Sequence, residues 1–249
     1  MSVVALASAL AMALLLPPPA VGNADAGAVA VLEAMEPAYA RVSGYTARFI
    51  RQEIVGERLR PREEAWLKFQ APNRFYLRWI AGPATGRQML YPGDADGHVL
   101  VYEPGTLTGL FTAVLAPDSK HVLEHSRHPV TDVGIGRLVT LILDNTRRAL
   151  REGELKIVAD RIETTAGGQE RRMELVFPPA PGRGYYAHRA LVGVDVGTQL
   201  PVAATIFDAE GRMVEDYAYR ELRLNPPLTA RDFDAANPDY RFPRWRLRP

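Results

Sequence analysis

The sequence contains no cysteine. This absence excludes a disulfide-stapled scaffold, a zinc or iron–sulfur site held by thiolates, a cysteine nucleophile, and a lipid anchor attached through a lipobox cysteine. The glycine-rich signatures GxxxxGK[ST] and GxGxxG are also missing, so nothing in the sequence indicates nucleotide chemistry.

A strong net charge is missing as well, because 30 basic and 29 acidic residues give a formal charge of +1. Nucleic-acid-binding domains are usually strongly basic, so we expect no nucleic-acid partner. Hydrophobic residues make up 47% of the 249 positions, which favours a folded chain over a disordered one.

No apolar run is long enough to span a membrane. Residues 3–16 are apolar or small, which is about 14 positions, whereas a membrane-spanning helix needs about 20. Three prolines end this run, and Ala24-Asp25-Ala26 offers small residues where a signal peptidase cuts. We predict that residues 1–26 are a cleavable signal peptide and that residues 27–249 form one domain in the periplasm. The lack of a basic residue before the run is atypical of such signals.

The spacing of apolar residues changes along the remaining chain. Helical spacing predicts helices over residues 28–42 and 135–152, the second presenting Ile135, Leu138 and Ile142 on one face. Alternation with a period of two predicts strands between and after these helices. The predicted strands cover residues 45–54, 64–69, 74–80, 88–91, 98–103, 155–164, 172–177, 188–196, 202–208 and 213–222. Residues 105–133 show no clear period.

This order of elements predicts an α+β fold. We expect a curled antiparallel sheet that forms an unclosed half-barrel, with an N-terminal helix and a central helix acting as a lid. Because two helices cannot cover a sheet of that size completely, a concave and partly open interior is expected.

Motifs for metal binding or catalysis are weak. His121, His125 and His128 form a histidine cluster, but HExxH is absent and Arg127 would repel a divalent cation. We therefore interpret the cluster as a solvated segment and expect neither a metal site nor a cofactor.

The paired carboxylates and the serines give no stronger indication. Glu63-Glu64 is interpreted as a solvated strand start, and Asp94 with Asp96 as a hairpin turn. The few serines lack a GxSxG setting. We expect a protein that is not an enzyme, with no catalytic residue. A periplasmic hydrolase that uses Glu63, Glu64 or the histidines is the third alternative.

Apolar residues alternate with polar ones along the predicted strands, so each strand has one apolar face. Two interpretations stay open, a closed core and a ligand cavity, and the residues alone favour the core. In the cavity interpretation, the ligand-binding residues are Phe49, Leu67, Phe69, Phe75, Leu77, Trp79, Val99 and Val101, with Ile135, Leu138 and Ile142 from the lid helix.

An ordered set of features between residues 45 and 105 carries a resemblance. Phe49 and Gln52 lie in an aromatic-x-x-Gln strand, Pro72-Asn73-Arg74-Phe75 forms a Pro-x-x-Phe turn before Trp79, and Asp96-Gly97 precedes Tyr102 in a hairpin. This set resembles the N-terminal half of LolA-type periplasmic lipoprotein carriers. Residues 232–240 resemble an uncharacterised branch of the same superfamily.

The resemblance implies a hydrophobic cavity under a helical lid. The cavity would take the acyl chains of a lipid or an acylated protein, without a cofactor, as part of outer-membrane biogenesis. The alternative is an envelope sensor or regulatory domain of the same fold, which binds lipidated ligands and a protein partner in the inner or outer membrane. We expect a monomer in either case.

One position departs from the pattern of these carriers. They have an arginine directly before the proline of the Pro-x-x-Phe turn, where it helps to hold the lid, whereas this sequence has Ala71. Arg74 and Arg78 are the candidates to replace that arginine.

Overall fold

The computed structural model describes residues 23–93, 97–105, 107–179 and 184–247. Residues 1–22, which hold most of the predicted signal peptide, lie outside the described residues, as do Asp94 and Asp96 of the predicted turn. The α-helices of the described chain are α1 (Asn23–Tyr39), α2 (Lys120–Leu123) and α3 (Ile135–Arg151). Among the described helices, none combines the length and the apolar character needed to cross a lipid bilayer.

The strands of the described chain form one 13-stranded sheet. Their bounds are β1 (Gly44–Val55), β2 (Arg58–Leu59), β3 (Glu63–Gln70), β4 (Arg74–Ala81), β5 (Gln88–Tyr91), β6 (Val99–Tyr102), β7 (Thr112–Leu115), β8 (Lys156–Thr165), β9 (Gly168–Val176), β10 (Arg189–Asp195), β11 (Pro201–Phe207), β12 (Met213–Leu224) and β13 (Arg246–Leu247).

The strand order is β13-β7-β6-β5-β4-β3-β1-β12-β11-β10-β9-β8, and the short β2 pairs with β1 outside this path. Neighbours are antiparallel except for β13, which runs parallel to β7. In the described residues the edge strands β8 and β13 do not pair with each other, so the sheet curls without closing. The predicted α+β class, an unclosed antiparallel half-barrel with a helix, is confirmed.

Strand β1 connects the two halves of the chain. It pairs with β3 on one side and with β12 on the other, so N-terminal and C-terminal strands belong to the same sheet. Apolar and polar residues alternate along β1 because every second side chain points to the inner face of the sheet. The buried side chains on that face include Tyr45, Ala47 and Phe49.

Helix α3 packs on the inner face of the sheet. Ile135, Leu138 and Ile142 are buried in the same hydrophobic core as the strands. Helix α1 packs beside α3 and buries Leu32 and Met35 in this core. These apolar stripes at helical spacing explain why both helices lie against the sheet.

The C-terminal segment covers part of the outer face. Tyr76 of β4 stacks on Tyr240, with 3.8 Å between the ring centroids. Phe233 is buried against Tyr76 in a second, smaller cluster. Lys68 forms an ion pair with Asp232 at 2.7 Å, which fastens the segment to β3.

Two of the differences from the sequence-based prediction are the start of α1 and the presence of β7. Helix α1 begins at Asn23 rather than at residue 28, and it therefore includes Ala24-Asp25-Ala26. Strand β7 lies in the segment where no strand was predicted. All four of its residues are buried, so both faces are covered and the polar alternation that reveals other strands is missing.

Candidate functional site

A cavity lies between the inner face of the sheet, helix α3 and the cover segment, which we define as residues 116–134 between β7 and α3. It holds about 1090 Å³ of space free of protein atoms, its open mouth included. Its apolar wall is formed by Phe49, Leu77, Met89, Val101 and Leu115 of the sheet, Val122, Pro129, Val130 and Val133 of the cover segment, and Leu138 and Leu141 of α3.

The inner face of the sheet changes from apolar to charged along the strands. On β1 the inward-facing residues run from Tyr45 through Phe49 to Arg51 and Glu53. Glu63 of β3 lies opposite Arg51, so the neighbouring strand becomes charged at the same end. The cavity therefore has an apolar end under α3 and a charged end farther along β1.

Two carboxylates in the cavity wall hold the cover segment in place. Glu53 and Glu215 are opposite each other on β1 and β12, and only 4% and 1% of their surfaces are exposed. Arg127 of the cover segment donates its backbone N–H to Glu53 Oε2 at 3.0 Å and its Nε–H to Glu215 Oε1 at 2.8 Å. The guanidinium of Arg127 thus compensates the buried anion of Glu215, and its backbone N–H gives Glu53 a hydrogen-bond donor.

The same carboxylates bind three further side chains. Tyr217 donates to Glu53 at 2.7 Å, Tyr186 donates to Glu215 at 2.5 Å, and His128 Nε2 lies 3.1 Å from Glu215 Oε1. The hydrogen bond with Glu215 raises the pKa of His128 above its ordinary value, although burial opposes this. Burial would raise the pKa of Glu215, but the hydrogen bonds from His128 and Tyr186 outweigh it and leave that pKa lowered.

An arginine–tryptophan stack occupies the charged end. The guanidinium carbons of Arg51 and Arg87 each lie 5.7 Å from the centroid of the Trp79 ring. Arg51 pairs with Glu63 at 2.9 Å, and Arg87 pairs with Glu103 at 2.5 Å. The Trp79 indole N–H donates to Glu63 Oε2 at 3.1 Å. Both arginines are thus held beside an aromatic ring.

The interpretation of Glu63 as a solvated strand start is wrong. Its side chain is 15% exposed and binds both Arg51 and Trp79. It faces inward because its register on β3 places it on the same face as Leu67 and Phe69.

The start of α3 is attached to the sheet through Tyr45. The Tyr45 hydroxyl accepts a hydrogen bond from the Ile135 backbone N–H at 2.9 Å, and its ring stacks on Phe69 with 5.0 Å between centroids. At Gly134, a Cβ atom would lie 2.9 Å from the Tyr45 hydroxyl, and φ is +125°. Only glycine fits this close approach.

All the ligand-binding residues predicted from the sequence are buried. Those that line the cavity are Phe49, Leu77, Trp79, Val101 and Leu138. The others lie in the hydrophobic core and are not among the lining residues: Leu67, Phe69, Phe75, Val99, Ile135 and Ile142.

Sequence reasoning missed the polar residues of the cavity. Arg51 and Glu53 continue the inward alternation of Phe49, and this pattern of inward-facing charge is the signal that could have found them. Glu215 continues the inward alternation of Tyr219 and Tyr217 on β12 in the same way, whereas Arg87 and Arg127 carry no such local signal.

Neither candidate for the missing carrier arginine lies on the face that α3 covers. Arg74 and Arg78 are exposed on the side of β4 opposite to Phe75 and Leu77. The described contacts that hold the lid region include those of Tyr45 and Arg127, and those of Arg51 and Arg60 with the backbone carbonyls of His125 and Glu124.

The histidine cluster does not form a metal site. The rings of His121 and His125 lie 6.0 Å apart, and His128 is bound to Glu215. Over the described ranges, no group of three or more histidine, aspartate or glutamate side chains is arranged to hold a metal ion.

The fold and the cavity define an open half-barrel protein whose inner face is covered by a helix and a long segment. The sequence profile of the family described as "Protein of unknown function (DUF1571)" matches residues 42–242. Because this match covers most of the chain, the chain belongs to the DUF1571 family. No curated protein sequence matches it.

Several solved structures are similar to this one. Mycobacterium tuberculosis lipoprotein LppX is 13% identical, with a TM-score of 0.48 over 83% of this chain and 99% of that one. A LolA superfamily protein from Nitrosomonas europaea is 12% identical, with a TM-score of 0.37 over 83% and 97% of the chains. In the Pseudomonas aeruginosa MucA/MucB complex, the matched chain is 13% identical, with a TM-score of 0.47 over 84% and 61%. A LolA superfamily protein is therefore among the similar structures, as the sequence resemblance predicted.

Proposed function

We propose that this protein binds acyl chains, carried by a lipid or by a lipidated protein, in the cavity beneath α3 and transports them without catalysing a reaction. The observation that carries this proposal is the cavity itself, which is apolar along Phe49, Leu77 and Leu138 and open at its mouth. Acyl chains gain about 0.8 kcal/mol for each methylene removed from water. An apolar cavity can therefore hold them without a cofactor or an energy source.

The cover segment gives the cavity a means of opening. It buries two valines, Val122 and Val130, and is fastened by polar contacts of Arg127 and His128 with buried carboxylates, whereas α3 is buried in the core through six apolar residues. Polar contacts can be exchanged for water at a small net cost, and apolar packing cannot. The cover segment is thus the part that would move to admit a chain.

The proposed site of action is the periplasm, reached through export and removal of residues 1–26. Cleavage after Ala26 would shorten α1 by its first turn and leave the buried Ala28, Leu32 and Met35 in place. N-terminal sequencing of the protein from the periplasmic fraction tests this. A start at Gly27 supports export with cleavage, and an intact Met1 in the cytoplasmic fraction contradicts it.

Native mass spectrometry of the protein purified in contact with membranes tests acyl binding. We expect co-purifying species with the masses of lipids, and uptake of the uncharged fluorescent probe N-phenyl-1-naphthylamine with a blue-shifted emission. A protein that carries no lipid and takes up no probe would contradict the proposal. Lipid binding together with a stable complex with a membrane protein would identify the sensor alternative.

A further inference from the structure

We infer that the charged end of the cavity binds the anionic group of the ligand, a carboxylate or phosphate attached to the acyl chain, at Arg87 beside Trp79, with Arg51 near the same ring. This inference rests on the proposed function and specifies the chemical class of its ligand. An amphiphile would lie with its chain along the apolar wall and its anion at the arginine–tryptophan stack.

The first support is a second space that continues the cavity at its charged end. This outer chamber holds about 940 Å³ free of protein atoms, its mouth included. The residues that line both spaces are Arg51, Glu53, Arg87, Glu103 and His125. A ligand that extends from the apolar cavity into the outer chamber must pass these five side chains.

The second support is an unused hydrogen-bond donor at Arg87. This residue is 8% exposed, and its Nη2 donates to Glu103. Its Nε is buried and has no hydrogen-bond partner. A guanidinium binds a carboxylate or phosphate through two parallel N–H groups, so an anion at this point would take the free Nε–H together with a neighbouring Nη–H.

The third support is that the surrounding carboxylates already have hydrogen-bond donors. Glu63 accepts hydrogen bonds from Arg51 and Trp79, and Glu53 accepts from Arg127 and Tyr217. Each of these carboxylates already accepts two hydrogen bonds, and Glu63 is also paired with Arg51, so they do not call for a cationic ligand. The donor without a partner belongs to a cation, which favours an anion.

A second buried polar atom without a partner, Glu215 Oε2, lies in the cavity wall but does not line the outer chamber. The other oxygen of this carboxylate already receives Arg127, His128 and Tyr186. Its charge is therefore compensated by the cover segment, and we assign it to holding that segment and not to the ligand.

Glu103 competes with the ligand for Arg87 in this arrangement. It occupies the guanidinium in the empty cavity and must yield or share it when the anion binds. Removing the Glu103 charge is therefore expected to strengthen the binding of an anionic amphiphile, whereas it would not strengthen the binding of a neutral one.

The test is displacement of N-phenyl-1-naphthylamine from residues 27–249 and from its variants by dodecanoate, dodecyl phosphate and dodecanol. These probes share one chain and differ in the head group. We expect the two anions to bind the wild type about tenfold more tightly than dodecanol. Arg87→Gln should remove most of this advantage without changing dodecanol binding, and Glu103→Gln should increase the affinity for dodecanoate. Arg78→Gln, on the outer face of β4, is the matched control and should change nothing.

Equal affinities of dodecanoate and dodecanol for the wild type would overturn the inference and leave the proposed function intact. If none of the three probes binds, the proposed function itself fails. If Arg87→Gln does not fold, the dodecanoate affinity of Glu103→Gln is the deciding measurement. A value equal to that of the wild type would overturn the inference. A measurement with inorganic phosphate distinguishes the head group of an amphiphile from a free anion. If inorganic phosphate protects the protein from thermal unfolding and dodecyl phosphate has no effect, the inference is also overturned.

Discussion

Glu53 and Glu215 face each other across the β1–β12 pair, and one residue of the cover segment, Arg127, binds both carboxylates. Like charges directly opposite each other on neighbouring strands are destabilising. The closed position of the cover segment therefore depends on charge compensation at this point. The cavity and its cover are linked by these three residues.

Removing the arginine of this group should destabilise the protein. We expect Arg127→Ala to lower the free energy of unfolding by about 2 kcal/mol, because the buried Glu215 carboxylate loses its guanidinium partner, whereas the backbone N–H bound by Glu53 is retained. The loss of unfolding free energy in the double variant Arg127→Ala/Glu215→Gln should be smaller than the sum of the losses in the two single variants. Urea unfolding measures both. Arg212→Ala, which breaks an ion pair of an arginine that is 60% exposed, is the control and should lower the stability less than Arg127→Ala does.

The stability should depend on pH through His128. Its pKa is raised in the folded state by the hydrogen bond with Glu215. The resulting stabilisation is fully present below the unfolded-state pKa of about 6.5 and is lost as pH rises through the raised folded-state pKa. The groups that face His128 are Glu215, Arg127, Asp132, Glu53 and Tyr186.

Urea unfolding at about pH 6 and about pH 8.5 checks this dependence. The wild type should lose more stability than His128→Gln over that interval. His121→Gln, which changes an exposed histidine of α2, should follow the wild type. A His128→Gln variant with the same pH dependence as the wild type would contradict the role of His128.

Filling the cavity from the helix side should block acyl binding. Leu141 of α3 is half-buried and lines the cavity, whereas the preceding Thr140 is exposed. We expect Leu141→Trp to reduce uptake of N-phenyl-1-naphthylamine several-fold, and Thr140→Trp to leave it unchanged. Equal uptake by both variants would show that the probe binds elsewhere.

The attachment of α1 should depend on apolar packing more than on its ion pairs. Leu32 is fully buried, so Leu32→Ala should lower the free energy of unfolding by about 3 kcal/mol. Arg147, whose side chain is 35% exposed, binds Glu33 and Glu36, and Arg147→Ala should cost at most about 1 kcal/mol. Denaturation of the two variants in urea gives the comparison, and a larger effect of Arg147→Ala would contradict it.

The contrast between β1 and β7 shows what the sequence can predict of this fold. In β1 only one face is buried, and its alternation identifies the strand within one or two residues. In β7 both faces are covered, so Thr112 and the three apolar residues after it are all buried and show no period. Periodicity reports a difference between two faces, and it is silent where both faces are buried.

The candidate site was predicted only in its apolar part. Alternation identified the inner face, and Phe49, Leu77 and Trp79 of the predicted residues line the cavity. Alternation does not show which residues of the inner face reach the cavity. Phe75, for example, lies on the same face but is buried in the core and does not line the cavity. The polar contacts were missed because they join distant positions, with Arg127 separated from Glu53 by 74 residues and from Glu215 by 88.

Quenching of Trp79 fluorescence by a brominated acyl chain tests acyl binding in the cavity most directly. Trp79 lines the cavity, whereas Trp66 and Trp245 are 36% and 77% exposed and can be replaced by phenylalanine to leave a single tryptophan. We predict saturable quenching of Trp79 by bromododecanoate, stronger for bromine near the carboxylate than at the chain end. Saturating ligand that leaves Trp79 unquenched would show that acyl chains do not bind in this cavity.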